Sequence, residues 1–243
     1  MGSQTSIEWT DATWNPVVGC TKISPGCANC YAFTLAERFR GVPGHPFEYG
    51  FDLRLAPHRL QDPLSWRKPR KIFTCSMSDM FHEHIPLEYI KGIFGVMQSA
   101  NWHTFQILTK RSQRLAVVAP SLPWPCNVWV GVSVENARYL PRIHELATVP
   151  AAIKFLSLEP LLGPIEQLPL EGIDWVIAGG ESGHRARPMD PNWVRSIRDQ
   201  CDRAGVAFFF KQYGGPRDKR GGATARLDGR LWHQFPKPMP VPS

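Results

Sequence analysis

Residues 19–31 read Gly-Cys-Thr-Lys-Ile-Ser-Pro-Gly-Cys-Ala-Asn-Cys-Tyr, and they hold three of the six cysteines in a chain of 243 residues. The spacing is C-x6-C-x2-C, and the Ser-Pro-Gly between the first two cysteines favours a turn. We therefore predict that Cys20, Cys27 and Cys30 bind one metal centre as thiolates. With no fourth Cys or His close by, three thiolates suit a cubane iron–sulfur cluster with one open iron, because structural zinc normally takes four protein ligands.

A disulfide and a zinc site are the alternatives to a cluster at this cysteine loop, residues 19–31. A disulfide would pair two cysteines and strand the third, and the polar residues 1–5 do not resemble a secretion signal. The expected location is therefore the cytoplasm. Zinc with a distant fourth ligand remains open on the spacing alone.

The charge of the chain favours a polyanionic partner. The net charge is +7, and the residues from Lys211 onward contribute seven Lys and Arg against two Asp. Such a balance is typical of proteins that bind nucleic acid or nucleotides, although a solvated basic tail is the alternative. No apolar stretch approaches the roughly 18 residues needed to span a bilayer, so no membrane partner is expected.

Outside the loop, short apolar runs alternate with helical patterns. A first strand is predicted near 15–19, leading into the cysteines, and six more follow at 72–75, 104–108, 128–132, 152–156, 175–178 and 206–210. Strands that are apolar on both faces indicate a parallel sheet covered by helices. Both an open sheet and a partial barrel fit this pattern.

Polar residues cluster where these strands end. Six groups follow the second to seventh strands, at 76–84, 109–111, 133–136, 157–160, 179–183 and 211–215. Any single group is readily explained by a helix cap, a turn or a solvent-facing pair. Because the carboxyl ends of parallel strands meet at one edge, the six groups together predict a shared site beside the cysteine loop.

The strand order and the cysteine loop together resemble the radical S-adenosylmethionine (SAM) superfamily. There, three cysteines after the first strand of a partial (β/α)6 barrel hold a [4Fe–4S] cluster, most often as C-x3-C-x2-C. This chain keeps the second interval and lengthens the first, and Asn29 stands where an aromatic residue is usual. The resemblance implies an α/β partial (β/α)6 barrel with an added strand over residues 1–210. It also implies a basic C-terminal extension over 211–243, packed on or beside the barrel.

Two further resemblances rest on the strand-end motifs. A phage and bacterial family known for a three-cysteine motif is similar at 7–16, 76–83, 108–111, 131–136, 157–160 and 227–232. The order of the motifs also resembles that of the spore photoproduct lyases, radical SAM enzymes that act on thymine dimers in DNA. There a Thr-Asp pair ends the second strand, where Ser78 and Asp79 stand here.

The resemblance implies a mechanism. The open iron would chelate the amino and carboxylate groups of SAM, and one electron from an external donor would cleave SAM to a 5′-deoxyadenosyl radical. That radical would abstract hydrogen during modification or repair of a nucleic-acid base, with a thymine-type pyrimidine favoured. The alternative is a non-catalytic nucleic-acid-binding module stabilised by zinc.

The resemblance also implies which residues hold the methionyl part of SAM. Ser76, Ser78 and Asp79 are expected to accept hydrogen bonds from its ammonium group. Lys110 or Arg111 is expected to neutralise its carboxylate, Arg111 offering a bidentate fork.

The remaining expected contacts concern the nucleoside part of SAM. Ser133, Glu135 and Asn136 are expected to bind the ribose hydroxyls, which need short donors and acceptors. Glu159 is expected in either the SAM site or the substrate site. Gly180 is expected to let the backbone approach the adenine edge.

Overall fold

Seven parallel strands form one curled sheet, a half-barrel, in a computed structural model that describes residues 5–216 and 225–237. In chain order the strands are β1 (Ala12–Trp14), β2 (Val17–Val18), β3 (Arg54–Leu55), β4 (Lys71–Thr74), β5 (Thr104–Thr109), β6 (Val128–Ser133), β7 (Ile153–Leu158), β8 (Trp175–Gly179), β9 (Ala207–Gln212), β10 (Arg226–Leu227) and β11 (Arg230–Leu231). The helices are α1 (Tyr31–Glu37), α2 (Leu87–Ser99), α3 (Ser112–Val118), α4 (Pro141–Ala147) and α5 (Pro191–Ala204). The half-barrel runs in the order β1-β4-β5-β6-β7-β8-β9.

Apolar side chains bury both faces of the half-barrel. The outer face packs against the helices, for example through Ile90 of α2 and Ile197 of α5. The inner face carries an aromatic cluster that includes Trp9, Trp129 and Trp175. Two buried faces explain why the strands read as continuous apolar runs. The predicted partial barrel with an added strand is confirmed.

The prediction of the first strand is wrong by a few residues. The edge strand of the half-barrel is β1, which pairs in parallel with β4. The predicted segment 15–19 instead contains β2, which pairs antiparallel with β3 outside the barrel. The physical reason lies in Pro16, which has no N–H to donate to a ladder, and in Ala12 and Trp14, which are fully buried.

The C-terminal residues pack onto the last strand of the barrel. β9 continues to Gln212, two residues beyond the predicted boundary at 210. The Phe210 N–H donates to the Trp232 carbonyl at 2.7 Å, and Phe235 joins the inner aromatic cluster. The division into 1–210 and 211–243 stays a prediction.

Part of the basic C-terminal segment lies outside the described residues, including Arg217, Lys219 and Arg220. Among the helices that are described, none is both long enough and apolar enough to cross a membrane.

Candidate functional site: a cysteine loop at the carboxyl edge of the half-barrel

The three cysteines of the loop border one cavity. Cys20, Cys27 and Cys30 are all partly exposed, and all three line a space of about 160 Å³ at the carboxyl edge of the half-barrel. We call this space the cysteine cavity. In the described ranges, no three Cys, His, Asp or Glu side chains gather closely enough around one point to hold a single metal ion. The three cysteines share the lining of one cavity instead.

Arg111 anchors the first part of the loop. Its Nη2 donates to Thr21 Oγ1 at 2.7 Å, its Nη1 lies 3.7 Å from Cys20 Sγ, and its Nε donates to Glu83 at 2.8 Å. The hydrogen bond from Arg111 lowers the pKa of Glu83 to about 2. Burial raises the pKa of the Cys20 thiol to about 12, with Asp79 adding to the rise and Arg111 opposing it. Metal binding at Cys20 must therefore displace a proton.

Glu135 anchors the middle of the loop. This carboxylate is fully buried, accepts a short hydrogen bond from the Ser24 hydroxyl, and accepts another from Arg142 Nη1 at 2.9 Å. It also packs against Gly26, where any Cβ would overlap the carboxylate. Glu135 therefore fixes the turn between Cys20 and Cys27.

Glu181 and Arg187 anchor the last part of the loop. Asn29, between the second and third cysteines, donates to Glu181 Oε2 at 2.9 Å. Arg187 donates to Glu181 Oε1 at 2.5 Å and to the Pro25 carbonyl at 2.9 Å. Burial alone would raise the pKa of Glu181, but the hydrogen bonds from Arg187 and Asn29 hold it below its ordinary value. Three separate strand ends thus hold the loop.

Glu181→Gln is expected to destabilise the protein by about 1–2 kcal/mol at pH 7, because it removes charge-assisted hydrogen bonds to a partly exposed Arg187. The folded-state pKa of Glu181 lies below its ordinary 4.5, so its contribution is complete above pH 4.5. That contribution is lost as the pH falls through the folded-state value. Urea unfolding at several pH values should show the parent and variant converging in acid.

The matched control is Glu166→Gln, which neutralises an exposed carboxylate between β7 and β8 that is not one of the loop's anchors. It should leave the unfolding free energy unchanged at every pH. A Glu181→Gln variant that equals the parent at pH 7 contradicts the anchoring role.

Six of the ten residues expected to bind SAM line the cysteine cavity: Ser76, Ser78, Asp79, Lys110, Arg111 and Ser133. Most of them already have partners in the protein. Asp79 is buried and accepts hydrogen bonds from Thr109 Oγ1 at 2.7 Å and from the Lys110 N–H at 3.1 Å. Ser78 donates to the Val17 carbonyl at 2.8 Å. Ser76 exchanges hydrogen bonds with Asn15. These contacts join neighbouring strand ends.

Ser133 differs from these residues. Its side chain is 1% exposed, and its hydroxyl is buried without a hydrogen-bond partner among the described residues. A buried hydroxyl without a partner is costly, and it lies here on the wall of the cysteine cavity. The Ser133 hydroxyl therefore keeps an unused donor and acceptor in a residue that lines the cavity.

The other four expected residues have contacts of their own. Glu135 anchors the loop, and Asn136 caps a turn by accepting from the Arg138 N–H at 3.0 Å. Glu159 accepts from Lys211 Nζ at 2.6 Å. A Cβ at Gly180 would overlap the Tyr213 backbone, so the chain itself makes the close approach at this position. Their predicted contacts with SAM stay predictions.

Two residues that hold the loop, Asn29 and Arg187, were not predicted from the sequence. In the sequence, Asn29 is notable only because radical SAM enzymes usually have an aromatic residue at that position. Arg187 lies eight residues after β8 in a basic stretch that carries no motif. The one available signal was the isolated Glu181 at a strand end, because a buried carboxylate requires a cation or several donors.

Comparisons with known proteins give a fold and a family. A cysteine-to-serine mutant of spore photoproduct lyase is similar, with a TM-score of 0.51, 12% identity, and coverage of 82% of this chain and 63% of that chain. A mutant of the same enzyme with bound AdoMet and dinucleoside spore photoproduct gives a TM-score of 0.45, 10% identity, and coverage of 79% and 61%. The chain therefore spans less than two thirds of the length of these structures.

The predicted likeness to spore photoproduct lyase is confirmed for the fold, which is the partial barrel of radical SAM enzymes of that kind. A search of curated proteins found no match. The likeness to the three-cysteine phage family stays a prediction.

One family model matches residues 4–236, almost the whole length. The chain accordingly belongs to the family described as "Protein of unknown function (DUF5131)".

Proposed function

We propose that this protein is a radical SAM enzyme whose three loop cysteines hold a [4Fe–4S] cluster. The observation that carries the proposal is that all three loop cysteines line one cavity at the carboxyl edge of a half-barrel. That donor set fits the cluster, because three thiolates leave one iron open for SAM. When bound, such a cluster supplies the electron that cleaves SAM to a 5′-deoxyadenosyl radical, which abstracts hydrogen from the substrate.

The protein's own residues would position this chemistry. The three anchors at Arg111, Glu135 and Glu181 fix the loop before any ligand arrives, so little reorganisation accompanies binding. The Arg111 guanidinium beside Cys20 would donate to the thiolate and offset part of its charge. Arg111, which also lines the cysteine cavity, would neutralise the SAM carboxylate by its charge, and this assignment leaves the Lys110 ammonium for another anion.

The remaining assignments follow the resemblance. Ser133, Glu135 and Asn136 would bind the ribose hydroxyls, and Glu159 would belong to the SAM site or the substrate site. Gly180 would let the backbone approach the adenine edge. The Ser76, Ser78 and Asp79 group would face the ammonium. The net charge of +7 supports a nucleic-acid base or nucleotide as substrate. We also propose an external one-electron donor and a basic extension, 211–243, beside the barrel.

The deciding experiment is anaerobic reconstitution with iron and sulfide, followed by reduction in the presence of SAM. Reconstituted protein is expected to release 5′-deoxyadenosine, measured by chromatography, and SAM should change the electron paramagnetic resonance spectrum of the reduced cluster. An unchanged spectrum with saturating SAM and no 5′-deoxyadenosine would overturn the proposal. Protein that takes up zinc but neither iron nor sulfide would point to a nucleic-acid-binding module instead.

Ser133→Ala sharpens the same experiment. Removing a hydroxyl that bonds SAM is expected to raise the Kd for SAM about 5-fold, which is close to 1 kcal/mol. Folding stability should not fall, because this hydroxyl has no partner in the described protein. Thr74→Val is the matched control. It removes a hydroxyl that is also buried and has no partner among the described residues. Thr74 follows Phe73, which lines the cavity, so the Thr74 side chain points to the opposite face of β4. Equal SAM affinity in parent and Ser133→Ala would remove Ser133 from the site.

A further inference from the structure

A second and larger cavity opens beside the cysteine cavity. It measures about 480 Å³ and lies between the residues that follow β5 and those that follow β6. Lys110 and Arg111 line both spaces, and Ile23 of the cysteine loop borders the larger one. Its volume is in the range of small-molecule sites, roughly 300–1,000 Å³. We call it the basic cavity.

The walls of the basic cavity carry excess positive charge. Among the residues that the structure describes, its charged lining residues are Lys110, Arg111, Arg114, Arg138 and Arg142 against Glu83 and Glu145. Five cations and two carboxylates line the cavity, and Glu135, which pairs with Arg142, brings the local charge to +2. A concave surface with an excess of one sign of charge attracts ligands of the opposite sign. The expected ligand is therefore an anion.

Three of the five cations are already committed within the protein. Arg111 pairs with Glu83, and Arg142 pairs with Glu135. Arg114 donates to the His82 carbonyl at 2.6 Å and to the Ile85 carbonyl at 2.5 Å. These arginines shape the walls, and their donors are largely used.

The other two cations are available. In the described ranges, neither the Lys110 ammonium nor the Arg138 guanidinium has an ion-pair or hydrogen-bond partner. Lys110 is half-buried, so its charge is partly removed from water without compensation. They follow β5 and β6, which are adjacent in the sheet. The Arg138 guanidinium is exposed, and an anion between the two groups would accept hydrogen bonds from both.

We propose that the basic cavity binds a phosphate of the substrate, with Lys110 and Arg138 as its ligands. A phosphate carries several outward oxygens, so it can bridge two cations from adjacent strand ends. That the phosphate belongs to the substrate rests on the proposed function, because the cavity adjoins the site where hydrogen abstraction would occur. The phosphate is part of a nucleic-acid strand or of a free nucleotide.

The test measures binding by the reconstituted full chain of a fluorescent thymidine oligonucleotide across a range of salt concentrations. The double variant Lys110→Gln/Arg138→Gln is expected to bind at least about 10-fold more weakly than the parent. Its log affinity should depend less steeply on log salt, by about 0.7 for each lost phosphate contact. Arg138→Gln alone should show an intermediate loss.

The control is Arg67→Gln, which removes an exposed arginine four residues before β4. Arg67 therefore precedes the amino end of its strand, whereas Lys110 and Arg138 follow the carboxyl ends of theirs. It should bind like the parent. Parent-like binding by the double variant overturns the site. An equal loss of oligonucleotide affinity in Arg67→Gln also overturns the site, because binding would then not depend on where the positive charge lies.

Competition separates the two sources of phosphate. Displacement by thymidine monophosphate but not by thymidine supports a phosphate site open to free nucleotides. Displacement by unlabelled oligonucleotide alone supports a strand. Equal displacement by thymidine and its monophosphate overturns the proposal. SAM cleavage by the parent, with parent-like oligonucleotide binding by the double variant, would leave the proposed function standing and remove this inference.

Discussion

Replacing Cys20, Cys27 and Cys30 together by Ala is expected to abolish iron and sulfide binding. Reconstituted parent should show the broad charge-transfer absorption of an iron–sulfur cluster, and the triple variant should lose it. Loss of one ligand alone should reduce metal retention at least about 10-fold, since even removing a partner of a ligand costs 10–100-fold. Iron and acid-labile sulfide analyses after desalting measure both effects.

Cys126→Ala is the matched control for these variants. Cys126 is also a free, partly exposed cysteine, but it lies in the loop before β6. It should keep the iron, the sulfide and the colour of the parent. A triple variant that retains its iron would refute the cluster assignment. Equal iron loss in Cys126→Ala would show that the metal is adventitious.

The sheet was largely predictable from the sequence, because strands buried on both faces must be apolar throughout. Six predicted strands overlap β4 to β9. The edge strand β1 was misplaced, because only three residues pair and Val17 and Val18 form the stronger β pattern next to it. Periodicity did not choose between an open sheet and a barrel. The inner cluster around Trp175 and Trp129 decides between the open sheet and the barrel, and its residues lie far apart in the sequence.

The site was predictable in place but not in detail. Polar groups at the ends of parallel strands had to meet at one edge, and Asp79, Lys110 and Ser133 do line one cavity with the cysteines. Which groups stay free for a ligand depends on partners that only the fold supplies. Glu135 pairs with Ser24, which lies 111 residues earlier, and no local pattern announces such a contact.

The second large effect is expected at Glu135, which anchors the middle of the cysteine loop. Glu135→Ala is expected to lower the free energy of unfolding by about 3–5 kcal/mol, because it leaves a buried guanidinium without its carboxylate. Arg142 is that guanidinium, with its side chain 10% exposed and paired to Glu135 at 2.9 Å. The Ser24 hydroxyl loses its acceptor in the same step. Urea unfolding of the cluster-free protein at pH 7 measures the change.

The control for this variant lies on the same helix as Arg142. Glu145→Ala removes a partly exposed carboxylate of α4 and should stay within about 0.5 kcal/mol of the parent. Iron uptake provides a second measurement, because a loop released at Ser24 positions Cys20 and Cys27 less well. Glu135→Ala should therefore take up less iron even in conditions where it is folded, whereas Glu145→Ala should match the parent. If Glu135→Ala unfolds at the parent's urea concentration and binds iron normally, the loop is held without Glu135, and this carboxylate is free for the ribose contact that the resemblance implies.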